Sequence, residues 1–271
     1  MIMHTPVRPT ALKVSTHCPS RQRGIALFVV IMFVMLSMLL SLWASRTAWF
    51  NELVVSNDAD YQRAFEAAQA LLLDAELDIR GENANGSVCS GSGKICRTGT
   101  AIAKIPLEAS GAEGVAALLV TLEDADKRCK DGLCAKRLGR QDFWNYPSAD
   151  AMTPDDLKAY EHPLKSLSAT GVGARYGEYT GASASNNPIL ETTSTTPWNQ
   201  GGWYWIEVLN YDTSSEFSNV IIDPAASSKK NLLTLNLLPA VVYRITAVAY
   251  GRKPGSMAVL QETYARTRLK D

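Results

Sequence analysis

The sequence predicts an α+β fold in which one long N-terminal helix packs on a C-terminal antiparallel β-sheet. Two observations lead to this prediction. No proline or glycine interrupts residues 25–80, and the chain from Trp203 onward contains β-branched and aromatic segments separated by turn residues. About 190 of the 271 residues follow the helix, which is enough for one core of moderate size.

An uncharged apolar run, residues 25–44, begins the helix. Twenty residues form a helix of about 30 Å, the thickness of the hydrocarbon core of a bilayer. No acid precedes the run, and four basic residues do: Arg8, Lys13, Arg21 and Arg23. This bias predicts that the N-terminus stays in the cytoplasm and that everything after Arg46 lies outside.

Three interpretations of this run are open. A secretory signal could be cut after Ala44, but its apolar region is usually only about 7 to 15 residues long. A signal anchor would not be cut at all. The third interpretation depends on the sequence RQRG at residues 21–24. It resembles the class III signal of type IV pilins and pseudopilins, which a prepilin peptidase cuts on the cytoplasmic side of the membrane. The resemblance implies a leader at residues 1–24, cleavage between Gly24 and Ile25, and a mature protein that keeps its apolar helix.

The second half of the helix is amphipathic. Apolar residues recur at steps of three, four or eight, the period of one helix face: Trp49, Leu53, Tyr61, Phe65, Ala68, Leu72, Ala75 and Ile79. We therefore expect the part from about Asn51 to Arg80 to pack on the soluble domain. Gly81 is expected to end the helix in a left-handed conformation.

The middle of the chain gives weaker signals. Residues 82–99 and 171–197 are rich in small and polar residues and are predicted as loops, the second as an extended surface loop. The apolar run 115–122 fits either a strand or a short helix. Thr153 followed by Pro154 predicts the start of a short helix that stops before Pro163.

The end of the chain predicts a sheet. Five segments have strand composition: 203–210, 217–222, 231–238, 241–250 and 256–265. Residues 251–255 are predicted to form the loop of a hairpin. Alternation in the fourth segment predicts one face with Val242, Arg244, Thr246 and Val248, and another with Tyr243, Ile245, Ala247 and Ala249.

Two of these regions resemble one family. YQRAFEAAQALLLDAELDIR (residues 61–80) and YRITAVAYGRKPGSMAVLQETY (residues 243–264) are similar to segments of PilX-like minor pilins of type IV pili. The resemblance implies a structural subunit, not an enzyme, with a transmembrane half-helix at residues 25–50 and a globular domain at residues 51–271. No cofactor is expected.

The same resemblance implies a location and partners. The chain would lie in the inner membrane as a single-pass protein with a cytoplasmic N-terminus, and later in the extracellular pilus. It would act at or near the pilus tip and help to start assembly. Its partners would be the prepilin peptidase, other minor pilins and the major pilin, with a large tip adhesin as a further candidate.

One position departs from the major pilins, which carry Glu at mature position 5. Counting from Ile25 places Val29 there. The PilX-like minor pilins and the K-type minor pseudopilin of type II secretion also lack this acid. The pseudopilin is the second hypothesis, although it usually has a large inserted helical domain, which this sequence does not predict. A membrane-anchored periplasmic enzyme is the third, and the lack of a convergent set of His, Ser or Cys nucleophiles disfavours it.

Four cysteines follow the membrane segment: Cys89, Cys96, Cys129 and Cys134. An even number in an oxidising compartment favours disulfides. Three pairings are possible, and we favour the local ones, Cys89 with Cys96 and Cys129 with Cys134, because loop-type residues separate each pair. A zinc site of all four is the alternative, and its spacings would be loose.

Other candidate sites are weak, and we predict no catalytic residue and no metal site. His162, beside Pro163, is expected to be an exposed turn residue. Residues 171–177 (GVGARYG) lack the preceding strand of a phosphate loop. The acids of residues 123–131 fit a solvated loop better than a calcium site.

Aromatic and basic residues are the side chains most typical of binding surfaces. A cluster of aromatic residues could anchor the sheet or form a partner surface, and we favour the first: Trp198, Trp203, Tyr204 and Trp205. No basic patch with interleaved aromatics is present, so nucleic-acid binding is not indicated.

Overall fold

The computed structural model describes residues 23–105, 111–146, 153–185, 187–192, 197–210 and 241–266. Its helices are α1 (Arg23–Arg80), α2 (Gly111–Glu123), α3 (Pro154–Tyr160) and α4 (Leu164–Leu167). Its strands are β1 (Cys129–Lys130), β2 (Leu133–Ala135), β3 (Gly202–Asn210), β4 (Val241–Tyr250) and β5 (Met257–Tyr264). Two compact units are present, one up to Val54 and one from Val55. The predicted strands 217–222 and 231–238 lie outside the described residues.

In the first unit, the described residues belong to α1. This stretch is long and apolar enough to cross a membrane. Its large side chains are not covered by protein, and the Phe33 and Trp43 side chains are 68% and 70% exposed. A helix that is apolar on all sides requires an apolar environment, which lipid or other helices can supply.

Helix α1 ends where the sequence predicted. Gly81 has φ +67°, the left-handed region that glycine adopts without strain. Its N–H donates to the Asp78 carbonyl at 3.1 Å, and the Glu82 N–H donates to the Leu77 carbonyl at 2.9 Å. These two bonds form a Schellman motif, which satisfies carbonyls at the end of the helix.

The buried apolar side of α1 consists mainly of alanines. Its completely buried apolar members are Ala64, Ala67, Ala68, Leu71, Ala75 and Ile79. The expectation that Leu53 and Tyr61 belong to the packed part was wrong, because these side chains are exposed. Packing begins near Asp60 rather than Asn51. The prediction followed the large apolar side chains, whereas alanines form the centre of the contact because they let other elements approach the helix closely.

The sheet has five strands in the order β1-β2-β3-β4-β5. The pairs β3–β4 and β4–β5 are antiparallel, as predicted, and β2–β3 is parallel, which was not predicted. Strands β1 and β2 were missed because they contain only two and three residues. Such short segments carry no alternation that a sequence pattern could reveal.

Side chains of the sheet alternate between two cores. Tyr243, Ile245, Ala247 and Ala249 belong to the main core with the alanines of α1, which confirms the predicted face. Val248 lies on the other face, in a second core with Trp203 and Trp205. The sheet is therefore covered on both sides.

The middle of the chain is more ordered than its composition suggested. The ambiguous run 115–122 is helical and forms most of α2. Helix α3 begins with the predicted cap, because the Asp156 N–H donates to the Thr153 hydroxyl at 3.2 Å and the Thr153 N–H donates to the Asp156 carboxylate at 3.0 Å.

Residues 171–185, the described start of the range 171–197, are not an extended surface loop. Ala174, Tyr179 and Thr180 are buried, and Ala174 pairs with Tyr204 of β3 through two backbone hydrogen bonds. Gly173 is required here, since a Cβ would lie 2.9 Å from the Leu167 carbonyl oxygen. The prediction failed because small residues permit close backbone packing as well as exposure.

Candidate functional site: the anchor helix and its attachments

The N-terminal junction lies in the first turn of α1. Gly24 and Ile25 follow Arg23, where the helix begins. Val29, one turn later, is 41% exposed. An uncharged part of the helix therefore begins at Ile25, directly after the basic sequence that ends at Gly24.

Polar side chains within the apolar part of α1 are satisfied by the helix itself. The Ser37 hydroxyl donates to the Val34 carbonyl at 2.9 Å and the Ser41 hydroxyl to the Ser37 carbonyl at 2.8 Å. Thr47 bonds in the same way to the Trp43 carbonyl. An unsatisfied polar group would be costly in lipid, so this pattern suits a membrane or a packed bundle of helices.

In the second unit, three aspartates of α1 attach the helix to the rest of the domain. Asp60, Asp74 and Asp78 are only 2%, 1% and 6% exposed. Positions 60, 74 and 78 fall on the same side of the helix as the alanines. Each carboxylate accepts hydrogen bonds from a segment that is distant in sequence.

Asp60 binds the turn between β4 and β5. The backbone N–H groups of Arg252 and Lys253 each donate to its carboxylate at 3.0 Å. A Cβ at Gly251 would lie 2.3 Å from this carboxylate, so glycine is needed there. Burial raises the pKa of Asp60, but the N–H donors of Lys253 and Arg252 together lower it further, and the pKa lies below its usual value.

Asp74 binds the buried segment that follows Gly173. The Gly177 N–H donates to its carboxylate at 2.8 Å, and the Thr180 hydroxyl donates through a short hydrogen bond. Burial raises the pKa of Asp74 to about 6, although both hydrogen bonds act in the opposite direction. Neutral donors alone do not compensate fully for the burial of this charge.

Asp78 forms a buried ion pair with Arg97. The Arg97 Nε and Nη2 atoms donate to the two carboxylate oxygens at 2.8 and 2.6 Å. Nη1 donates to the carbonyls of Ala103 and Asp131 at 3.0 Å each, and the guanidinium lies 3.8 Å from the centre of the Tyr179 ring. Burial lowers the pKa of Arg97, but Asp78 raises it more strongly, so the pKa lies above its usual value.

A disulfide precedes Arg97 directly. Cys89 and Cys96 are bonded, and Cys96 and Arg97 have φ of +60° and +50°, which is unusual for residues with a side chain. The closed loop fixes the backbone from which Arg97 reaches Asp78.

The second disulfide joins β1 to β2. Cys129 and Cys134 are bonded and lie directly opposite each other in the strand register. Asp131 and Gly132 form the turn between them with φ of +54° and +80°, as in a type I′ hairpin. Both bonds join the pairs that the spacing favoured. Among the described residues, no group of three or more potential ligands could hold a metal ion.

Several weaker candidates take other places in the structure. His162 is half-buried, so its expectation as an exposed turn residue was wrong. Asp131 is buried and its carboxylate accepts from the Ala103 N–H, so the acidic loop is not wholly solvated. Residues 171–177 form no phosphate loop, since the N–H groups of Arg175 and Gly177 bind Glu178 and Asp74.

Three of the four clustered aromatic residues anchor the sheet. Trp203, Tyr204 and Trp205 are buried in the two cores. The indole N–H groups of Trp203 and Trp205 donate to the carbonyls of Trp198 and Leu167 at 2.9 and 3.1 Å. Trp198 itself is only half-buried.

Sequence reasoning missed the aspartates and Arg97. Asp74 and Asp78 are four residues apart, and both share a helix side with Ala67, Leu71 and Ala75. The sequence did contain a signal for these contacts, namely acids within the stripe that was predicted to be buried. A buried carboxylate requires a hydrogen-bond donor or a cation as its partner. The identity of that partner could not be read from the sequence, since Arg97 ends a single 3-10 turn and Thr180 lies in a turn, both far from α1 in sequence.

Two family models match the chain. The model described as "Type IV pilus assembly protein PilX C-term" matches residues 130–266, about half of the chain. The model described as "PilX N-terminal" matches residues 23–72. No curated protein and no solved structure matches. The two matches include the apolar part of α1 and strands β2 to β5.

Proposed function

The chain belongs to the PilX family of type IV pilus assembly proteins and is a minor pilin, and we propose that it acts at or near the tip of the pilus, where it helps to start assembly. PilX-type pilins are structural components of the pilus, and we propose that this chain likewise has no catalytic role.

The proposal begins with processing at the junction. A prepilin peptidase would cut between Gly24 and Ile25 and remove the basic leader. The mature helix α1 would then hold the subunit in the inner membrane with its globular unit outside. The hydroxyls of Ser37, Ser41 and Thr47 support this, because each donates to a backbone carbonyl of α1 and so needs no water.

The same helix would then enter the filament. Lipid and neighbouring pilin helices are equally apolar, so one can replace the other around α1 at little cost. The globular unit would remain attached to the helix through Asp60, Asp74 and Asp78. Other minor pilins and the major pilin are the proposed neighbours, with a large tip adhesin as a further candidate.

The proposal of a tip position rests on Val29. In pilins, Glu at mature position 5 is understood to pair with the N-terminal amine of a neighbouring subunit. A subunit with Val29 leaves one amine without that partner, and an unpaired charge among apolar helices is costly. This cost is tolerable once, at an end of the fibre, but not at every repeat.

A K-type minor pseudopilin is the weaker alternative. Such proteins usually have a large inserted helical domain. The helices described between residues 100 and 200 contain only 13, 7 and 4 residues. Both matching families are of the PilX type, which also favours the pilus.

Quantitative mass spectrometry of sheared pili tests the proposal. We expect a chain that begins at Ile25 and is far less abundant than the major pilin. Deletion of the gene should reduce the number of pili while the remaining fibres keep the same major pilin. A mature chain that begins at Ser45, or an intact leader, would contradict the processing step. An abundance close to that of the major pilin would contradict the tip position.

A further inference from the structure

A cleft of about 670 Å³ lies beside the second core and the β4–β5 turn. This volume is in the range of small-ligand sites. Its described lining includes the aromatic side chains of Trp144, Trp198 and Tyr250. The Trp198 and Tyr250 rings meet edge to face, with centroids 6.1 Å apart and planes at 86°. The cleft therefore has partly exposed, flat apolar walls.

Polar groups with unused hydrogen-bonding capacity line the same cleft. Within the described part of the chain, the indole N–H groups of Trp144 and Trp198 have no hydrogen-bond partner. The same holds there for the side-chain amides of Asn199 and Gln200, both of which are exposed. Two flat indole surfaces thus stand beside donors and acceptors that are free to bind a ligand.

The charge of the cleft is positive. Arg252 and Lys253 line it, and no Asp or Glu does so among the described lining residues. The Lys253 ammonium already donates to Ser56 and Asn57 of α1. The Arg252 guanidinium is exposed and, within the described ranges, has no hydrogen-bond or ion-pair partner. Arg252 is therefore the cation available to a ligand.

We infer that this cleft binds a glycan and that its preferred residue is an acidic hexopyranose. A pyranose ring has an apolar C–H face that can lie on an indole, and hydroxyls that can bond to amides and indole N–H groups. Its carboxylate could receive a charge-assisted pair of hydrogen bonds from Arg252. A nucleic-acid strand is less suitable, because several cations would be needed to neutralise its phosphates.

The walls of the cleft are held in place without a ligand. The Trp198 carbonyl accepts from the Trp203 indole at 2.9 Å, and the Tyr250 N–H donates to the Gly201 carbonyl at 2.9 Å. Asp60 binds the backbone N–H of Arg252 itself. A preformed site avoids much of the ordering cost of binding. The inference does not depend on the tip position, since the cleft belongs to the globular unit alone.

Binding can be measured on the full-length protein in a detergent without a sugar headgroup. The probes are trigalacturonate and its methyl ester, which has the same rings without the charges. Tryptophan fluorescence and isothermal titration calorimetry should show saturable binding of both, with trigalacturonate the tighter. Trp198→Ala should weaken both probes by about tenfold, a loss of one aromatic contact. Arg252→Gln should weaken trigalacturonate by about fivefold and leave the ester unchanged.

Matched controls are Tyr61→Ala and Arg63→Gln, which remove an exposed aromatic and an exposed arginine of α1 outside the lining residues. Both should bind like the unaltered protein. Circular dichroism checks that each variant folds. If Trp198→Ala does not fold, the binding of Asn199→Ala and Arg252→Gln tests the inference instead, because substitutions at these two exposed positions should not disturb the fold. Absence of saturable binding to either probe, or binding unchanged in the cleft variants, would overturn the inference.

A second measurement separates a glycan from a protein occupant. A photo-crosslinking amino acid at position 199 in assembled pili should not link to another pilin if the cleft is open to glycans. An efficient link to a neighbouring pilin would overturn the glycan assignment and make the cleft a protein docking site.

Discussion

Asp60, Asp74 and Asp78 place three carboxylates on the buried side of a helix whose other buried residues are mainly alanines. Their partners differ in kind: backbone N–H groups for Asp60, a neutral hydroxyl and an N–H for Asp74, and a guanidinium for Asp78. Only Asp78 is paired with an opposite charge of comparable burial. The three sites should therefore respond differently to mutation and to pH.

The ion pair of Asp78 should make Arg97 a sensitive position. Arg97→Ala leaves a buried carboxylate without its cation, so we expect a loss of about 3 to 5 kcal/mol in the free energy of unfolding. The double variant Arg97→Met with Asp78→Leu should recover a large part of this loss, because no unpaired charge remains. Urea unfolding of the full-length protein in detergent measures both. Arg63→Ala, on the exposed side of α1, is the control and should change stability by less than about 0.5 kcal/mol. A similar small effect for Arg97→Ala would show that the pair does not form.

The raised pKa of Asp74 predicts a pH dependence. Its pKa rises from the ordinary aspartate value of 3.8 to about 6 in the folded protein. The folded state therefore binds more protons than the unfolded state between these values, and stability falls as the pH rises from about 4 to 6. The shift corresponds to about 3 kcal/mol. Relative to Asp74→Asn, the unaltered protein should lose this amount across the window, measured by denaturant unfolding at several pH values. Asp58→Asn, at an exposed position of α1, is the control and should keep the pH dependence of the unaltered protein. If the stability of Asp74→Asn changed with pH in the same way as that of the unaltered protein, the prediction would be refuted.

The long elements were predictable and the short ones were not. Helix α1 and strands β3 to β5 have enough residues to show a helical or alternating period, and their bounds agreed with the sequence to within about two residues. Strands β1 and β2 form a hairpin that a disulfide and an Asp-Gly turn close, and β2 pairs with β3. The burial of residues 171–180 depends on pairing with Tyr204, a contact that no local pattern reports.

The loop closed by Cys89 and Cys96 should stabilise the fold partly by positioning Arg97. We expect the mature chain, purified without reductant and then unfolded, to show no reactive thiol. The variant Cys89→Ala with Cys96→Ala should lose about 2 to 3 kcal/mol by the loop-entropy argument. It should also reduce the cost of Arg97→Ala, because the loop no longer places the guanidinium at Asp78. A double-mutant cycle measures this coupling, and Arg63→Ala should show none. Four reactive thiols with one bound zinc ion would contradict the disulfides.

The two units differ in how far their roles could be predicted. Charge bias and apolar length are local properties, so the sequence alone predicted the long apolar helix that the structure contains. The orientation and the junction stay predictions. The cleft of the globular unit could not be predicted, because its lining comes from residues 144–145, 164, 198–200 and 250–257. Only the packing of the second core brings these segments together. The family resemblance, carried by both ends of the chain, is confirmed by the two family matches.

A single substitution in the anchor can test why this subunit would be scarce in the pilus. If the missing acid confines the chain to an end of the fibre, Val29→Glu should give each neighbouring amine a partner and permit incorporation along the fibre. Quantitative mass spectrometry of sheared pili should then show several times more of this chain per major pilin. Val30→Glu adds the same charge at the next helix position, about 100° around the axis, and should not raise the abundance. Processing after Gly24 must be verified for both variants by the mass of the N-terminal peptide. An unchanged abundance for a correctly processed Val29→Glu chain would mean that contacts of the globular unit, rather than Val29, limit its number.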